Sequence, residues 1–182
     1  MPSPSEPLNL AALPDGGDAR IARLTALAVS LHIIESALPP LLPGLKPGLA
    51  NIVVIVALGR YGFAAAVWVS LLRVLVSALL LGTLFSPTFW LSLSGALGSL
   101  LVLFPAQYLP GRGFGPVGFS LLAALANIGA QFVTAYLVFV QHPGVFWLLP
   151  PLLAAALFFG IGNGLIAHWI LTRLESAPQP CP

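Results

Sequence analysis

Charged side chains are scarce in this chain. Only 7% of its 182 residues are Asp, Glu, Lys or Arg, whereas 58% are hydrophobic, and the mean hydropathy is +1.00. A soluble domain carries about 25% charged residues. The composition therefore excludes a soluble domain and predicts an integral membrane protein with the lipid bilayer as a partner.

Cysteine and aspartate are nearly absent as well. The single cysteine, Cys181, excludes an intrachain disulfide and a cysteine metal site. The only aspartates, Asp15 and Asp18, lie in the polar head, so the chain lacks the aspartate-rich motifs that hold magnesium diphosphate in prenyl synthases. His32 and Glu35 share a helix face but are too few to form a metal centre. The chain also lacks a P-loop, a nucleophile beside a base, and a basic patch. We therefore predict no enzyme activity for the chain alone, no metal, no cofactor and no nucleic-acid partner.

Six apolar blocks follow the polar head, and they predict an all-α membrane protein with six transmembrane helices. Such a helix needs about 20 apolar residues, and proline- and glycine-rich turns separate the blocks. We expect residues 1–19 to form a polar, disordered tail without a signal peptide, 20–174 one membrane domain, and 175–182 a second polar tail. The blocks are Ile21–Ala37, Leu49–Leu58, Phe63–Leu84, Phe89–Phe104, Val117–Val140 and Val145–Leu171.

The basic residues predict the orientation of these helices. Lysine and arginine are retained on the cytoplasmic side of a membrane. If both termini are cytoplasmic, Lys46 alone faces the exterior, and every other basic residue of the connecting segments and helix ends is cytoplasmic. The arginines concerned are Arg20, Arg23, Arg60, Arg112 and Arg173. We therefore expect a multi-pass protein of the cytoplasmic (inner) membrane.

The segment from Pro43 to Asn51 places Lys46 between prolines and glycines. The block after it is only about 15 Å long as a helix. It can cross the membrane only if the irregular segment before it also enters, which requires protein or a water-filled cavity to satisfy the backbone. We therefore expect this segment to cover a cavity, with Lys46 and Asn51 at its outer mouth.

Glu35 and Arg73 are predicted to lie within the membrane. A central arginine costs about 2.5–3.5 kcal/mol on insertion scales, so it should face the bundle and find a partner. Arg73 could pair with Glu35 or backbone carbonyls to hold helices together, or it could contact a substrate. Asn127 and Gln131, four residues apart, share one helix face. They could join neighbouring helices, or they could contact the same substrate.

Small residues mark two further helix faces. Ala22, Ala26 and Ser30 form a stripe that lets another helix approach closely, either in this chain or in another protein. The run from Gly160 to Gly164 also favours close helix packing, because no strand precedes it and no lysine follows it. Asn163 and His168 diverge by about 140° on a helix, so we do not expect them to share one site.

Several short motifs together resemble the Gx transporter family, which is also labelled heptaprenyl diphosphate synthase component I. The resemblance covers about Leu24 to Leu171. The motifs are Pro43-Gly44-Leu45-Lys46, Gly48-Leu49-Ala50-Asn51-Ile52, Ser70-Leu71-Leu72-Arg73, Gly82-Thr83-Leu84-Phe85-Ser86-Pro87 and Ser92-Leu93-Ser94-Gly95-Ala96-Leu97.

Members of this family are similar to the substrate-binding S components of energy-coupling factor (ECF) transporters. The resemblance implies six membrane helices with both termini in the cytoplasm and capture of a vitamin-like molecule from outside. It also implies a transmembrane coupling protein and two ATPases as partners, with the coupling protein on the stripe of Ala22, Ala26 and Ser30.

Our first hypothesis is therefore a substrate-binding subunit for uptake of a small anionic or vitamin-like molecule. Its expected binding residues are Lys46, Asn51, Arg73, Asn127, Gln131 and Glu35. One alternative is a non-catalytic accessory subunit of a polyprenyl diphosphate synthase. Another is a structural or assembly subunit of a membrane redox complex, in which the polar residues only lock the helices together.

Overall fold

The computed structural model describes residues 16–37, 48–108 and 115–176. Within these ranges there are six α-helices and no β-strand, so the predicted all-α class is confirmed. A π-helical turn, Ala135–Phe139, continues α5, and a 3-10 helix, Pro143–Leu148, precedes α6. The helices are α1 (Gly16–Ala37), α2 (Ala50–Tyr61), α3 (Phe63–Leu80), α4 (Pro87–Ala106), α5 (Pro116–Thr134) and α6 (Leu149–Ser176).

Four helical segments of the described ranges are long and apolar enough to cross a membrane. These segments are Phe63–Leu80, Pro87–Ala106, Pro116–Phe139 and Pro143–Leu174. The chain is therefore a multi-pass membrane protein. Six crossings with both termini in the cytoplasm stay a prediction.

Several helix ends differ from the predicted bounds. The first helix begins at Gly16, inside the predicted polar tail, and α6 continues to Ser176, beyond the predicted domain end at 174. The third helix ends at Leu80 rather than Leu84 because Gly82 takes a left-handed conformation with φ of +65°. There the Thr83 amide donates to the Ala78 carbonyl at 2.8 Å, which closes the helix end in a Schellman motif.

The short helix α2 lies at the centre of the bundle. It contacts α1, α3, α5 and α6, and every residue from Ala50 to Ala57 is buried. Its core partners include Leu103 of α4, which is fully buried. Because neighbouring helices rather than lipid surround α2, this helix of 12 residues does not need the length of a lipid-exposed transmembrane helix.

The end of α2 and the end of α6 lie at the same end of the bundle. A Cβ atom built on Gly59 would lie 2.9 Å from Leu171 Cδ1. The start of α3 joins them there, since the Phe63 ring packs 5.3 Å from the Phe104 ring near the end of α4. Consequently Arg60 and Arg173 share one end of the molecule.

Small residues let α4, α5 and α6 pack closely. A Cβ atom on Gly98 would lie 2.5 Å from Ala130 Cβ, and one on Gly164 would lie 2.6 Å from Val117 Cα. Two serine hydroxyls hydrogen-bond to carbonyls of the adjacent helix at these contacts: Ser99 to Ala123 at 3.0 Å, and Ser120 to Gly160 at 2.9 Å. The glycine run of α6 thus serves close packing, as its sequence indicates.

We predict that Gly164→Ala destabilises the protein by about 1–3 kcal/mol, the usual cost of an overpacked core. The methyl group would meet the backbone of α5, which cannot rotate away. Gly162→Ala is the matched control, because nothing lies within 4 Å of a Cβ atom there. Denaturant unfolding in detergent micelles should show a loss for the first variant and none for the second. Equal stability of the two variants would contradict the close approach of α5 and α6.

Candidate ligand-binding site

A cavity of about 180 Å³ lies inside the helix bundle, and all six helices contribute to its wall. Its lining brings together polar side chains that are far apart in sequence. They are His32 and Glu35 of α1, Asn51 of α2, Arg73 of α3, Thr88 and Ser92 of α4, Asn127 and Gln131 of α5, and Asn163 of α6. Such convergence of polar groups in a concave space is typical of a small-molecule site.

Arg73 is the cation of this cavity. It lies in the middle of α3 with only 8% of its surface exposed. Glu35 of α1 attracts it electrostatically. Its Nε atom has no hydrogen-bond partner among the residues that the structure describes. That atom is enclosed by protein, and because Arg73 lines the cavity, an anion bound there would lie beside its charge.

Glu35 and Asn163 hold the beginning of α2. The Leu49 amide donates to the Glu35 carboxylate, and Asn163 Nδ2 donates to the Gly48 carbonyl at 3.2 Å. The Gly48 carbonyl also accepts a hydrogen bond from the backbone amide of Asn51 at 2.8 Å. Gly48 has φ of +72°, a left-handed conformation that favours glycine. Side chains of α1 and α6 therefore fix the helix start that carries Asn51 to the cavity wall.

Asn127 and Gln131 form a hydrogen-bonded amide pair on α5. Gln131 Nε2 donates to Asn127 Oδ1, and both side chains line the cavity. Among the described residues, this bond within one helix is the hydrogen bond that these two side chains make. Neither side chain hydrogen-bonds to a neighbouring helix among the described residues, and a contact with a substrate stays a prediction.

The predicted binding residues lie together where the structure describes them. Glu35, Asn51, Arg73, Asn127 and Gln131 line the one cavity. Lys46 and the rest of segment 38–47 lie outside the described residues, so the expectation that this part of the chain covers the cavity stays a prediction. That the five residues bind a ligand also stays a prediction.

Sequence reasoning missed four polar residues of the cavity wall: His32, Thr88, Ser92 and Asn163. Thr88 and Ser92 carry a usable signal, since they are four residues apart and share a face of α4. Asn163 carries no such signal in the sequence, because its hydrogen-bond partner Gly48 is 115 residues away. His168 is exposed on the same helix, so Asn163 and His168 do not share the cavity, as expected.

The small-residue stripe of α1 faces away from the bundle. Ala22, Ala26 and Ser30 are all exposed, and the Ser30 hydroxyl donates to the Ala26 carbonyl at 2.9 Å, which satisfies it within its own helix. The stripe is thus a smooth outer face on the helix that carries Glu35.

We predict that Asn163→Ala loosens the first turn of α2, because the variant loses the side-chain bond to Gly48. A hydrogen bond contributes about 1 kcal/mol, so amide hydrogen exchange at Asn51 and Ile52 should accelerate about fivefold. His168→Ala, on the exposed face of the same helix, is the control and should leave the rates unchanged. Unchanged exchange in Asn163→Ala would show that Asn163 does not anchor α2.

Residues 24–170 match the family described as heptaprenyl diphosphate synthase component I. A search of curated proteins and a search of solved structures each gave no significant match. The matched region contains all six helices except the first turns of α1 and the last turns of α6, and it contains every residue of the cavity wall. The chain therefore belongs to the heptaprenyl diphosphate synthase component I family.

Proposed function

We propose that the protein is a membrane-embedded substrate-binding subunit that captures a small anionic molecule for uptake. Arg73 is the observation that carries this proposal. Arg73 is almost fully buried in the middle of α3 and lines the cavity, so a bound ligand would lie beside its charge. An anionic group in the cavity would compensate this buried charge.

The cavity volume limits the size of the ligand. An apolar protein cavity of about 150 Å³ holds benzene, and this cavity measures about 180 Å³. It therefore suits one ring with a small substituent. Its amide and hydroxyl groups provide directional contacts for such a polar ring.

The proposed orientation places the cytoplasm at the end of the bundle where Arg60 and Arg173 lie. Each of these arginines packs over an aromatic ring: Arg60 lies 6.0 Å from the centre of the Tyr61 ring, and Arg173 lies 5.4 Å from that of Trp169. Arginine and amphipathic aromatic rings both favour the membrane interface. In this orientation Lys46, which lies outside the described residues, is predicted to be exterior.

The exposed stripe on α1 supports a helical partner. Ala22, Ala26 and Ser30 offer no bulky side chain, so a second membrane helix can approach closely. By similarity to ECF S components, we propose that a transmembrane coupling protein binds there and connects the subunit to ATPases.

The family description favours a second candidate, a non-catalytic accessory subunit of a prenyl diphosphate synthase. A diphosphate would also satisfy Arg73. The cavity wall fits an isoprenoid chain less well, because four amide side chains line it: Asn51, Asn127, Gln131 and Asn163. Apolar chain atoms would not satisfy the donor and acceptor that the Asn127–Gln131 pair leaves available, at a cost of about 1–3 kcal/mol each.

We predict that Arg73→Gln loses the captured molecule. Hydrogen bonds to a charged group contribute about 1.5–3 kcal/mol, so affinity should fall about 10- to 100-fold. The measurement is mass spectrometry of anionic small molecules that co-purify with the protein from membranes, compared between wild type and variant. Arg60→Gln, which removes an exposed arginine outside the cavity, is the matched control and should retain the wild-type molecules.

Retention of the same molecules by wild type and Arg73→Gln would contradict the proposal. A retained isoprenoid diphosphate, together with a co-purifying soluble synthase, would favour the accessory subunit instead. Uptake of the identified molecule by vesicles that contain the protein and its coupling subunits, and its loss in Arg73→Gln, would establish transport.

A further inference from the structure

We propose that Asn127 and Gln131 recognise a lactam edge of the ligand, that is, a ring carbonyl next to a ring N–H, and that Gly95 positions them for this role. The inference rests on the proposed function, since it requires a ligand in the cavity. It narrows the ligand from a small anion to an anionic, planar ring with an amide-type edge.

The hydrogen bond within the amide pair leaves a defined set of groups for a ligand. Each amide side chain has one acceptor oxygen and one donor NH₂ group. The internal bond uses Gln131 Nε2 as donor and Asn127 Oδ1 as acceptor. Asn127 Nδ2 therefore keeps its donors and Gln131 Oε1 keeps its lone pairs. Exchanging oxygen and nitrogen in both side chains would again leave one donor group and one acceptor, so the pair offers this combination in either assignment.

Gly95 of α4 lies against the bonded side of the pair. A Cβ atom at position 95 would lie 2.5 Å from Asn127 Oδ1 and 2.7 Å from Gln131 Nε2, the two atoms that bond each other. The bonded atoms thus pack on the α4 backbone, and the remaining donor and acceptor lie farther from it. A methyl group at position 95 would meet the ends of these two side chains, so the amide pair would have to move.

Ser99 fixes the backbone of α4 at this level. Its hydroxyl lies 2.9 Å from the Gly95 carbonyl and 3.0 Å from the Ala123 carbonyl of α5, and its proton is shared between them. Asn127 lies one helical turn after Ala123, so the Ser99 hydrogen bond fixes the position of Gly95 along the helix axis relative to the amide pair. The pair is therefore held by a rigid backbone rather than by a movable side chain.

The donor and the acceptor that remain on the amide pair match the two polar groups of a lactam. A donor and an acceptor on these neighbouring side chains can pair with a carbonyl and an N–H on adjacent ring atoms, as in an oxopyrimidine or a pterin. Arg73 lines the same cavity and supplies the partner for an anionic substituent. An isoprenoid diphosphate carries an anionic group but no lactam edge, so binding experiments can distinguish the two ligand classes.

A second cavity gives room for a larger substituent. It measures about 310 Å³ and shares His32, Val74, Thr88 and Ser92 with the first. It extends towards the turn between α3 and α4, where Thr83 and Phe89 line it. A second ring or a substituent on the lactam would extend from α5 towards this second cavity.

The test measures binding of defined probes to the purified full-length protein in lipid nanodiscs by isothermal titration calorimetry. Orotate and pterin-6-carboxylate are anionic rings with a lactam edge, and nicotinate is an anionic ring without one. We expect at least one of the two lactam probes to bind at least tenfold more tightly than nicotinate. Gly95→Ala should reduce that preference about tenfold, because the new methyl group displaces the amide pair.

Two further variants keep the test decisive. Gly129→Ala is the matched control on α5, since nothing lies within 4 Å of a Cβ atom there, and it should bind every probe as the wild type does. Gln131→Leu removes the acceptor directly and should abolish the preference even if Gly95→Ala folds poorly.

Three outcomes would overturn the inference. The first is equal binding of nicotinate and both lactam probes to wild type, with all binding lost in Arg73→Gln; this result leaves the proposed anion capture intact. The second is a preference that persists in Gly95→Ala and Gln131→Leu. The third is a failure of both lactam probes to bind wild type. The proposed function itself stands or falls separately, on whether a co-purifying anion depends on Arg73.

Discussion

The burial of the Arg73 guanidinium is the constraint around which the bundle is arranged. A charge in the middle of a membrane helix must face protein or water, and Arg73 faces a polar cavity with an attracting carboxylate from α1. Glu35 also accepts the Leu49 amide, so the group that compensates Arg73 holds the start of α2 as well. The central helix and the central charge thus depend on one carboxylate. This compensation is partial, because Arg73 Nε is left without a partner among the described residues.

Close packing of α4, α5 and α6 makes the polar wall possible. The small residues at positions 95, 98 and 164 bring helix backbones near one another, and serine hydroxyls bond across the contacts. In a membrane, van der Waals contact and interhelical hydrogen bonds replace the hydrophobic effect as the source of helix association. The same close approach places a backbone, rather than a side chain, behind Asn127 and Gln131. Stability and site geometry therefore come from the same glycines.

Much of this organisation is predictable from the sequence. Low charge and long apolar blocks predict a helical membrane protein, and the cost of polar groups in lipid predicts that Glu35, Arg73, Asn127 and Gln131 face inwards. The end of α3 is not predictable by hydropathy, because Leu81, Leu84 and Phe85 continue the apolar block while Gly82 turns the backbone. Asn163 and Gly95 are missed for another reason. Their roles depend on Gly48 and on α5, which lie far along the chain and reach them only in the folded bundle.

The most direct test of the central claim is a high-resolution structure of the protein in lipid with its co-purified molecule bound. The account predicts an anionic group of that molecule within hydrogen-bond distance of the Arg73 guanidinium, inside the cavity formed by all six helices. A structure in which Arg73 is bonded only to protein groups, with the molecule bound elsewhere, would contradict it.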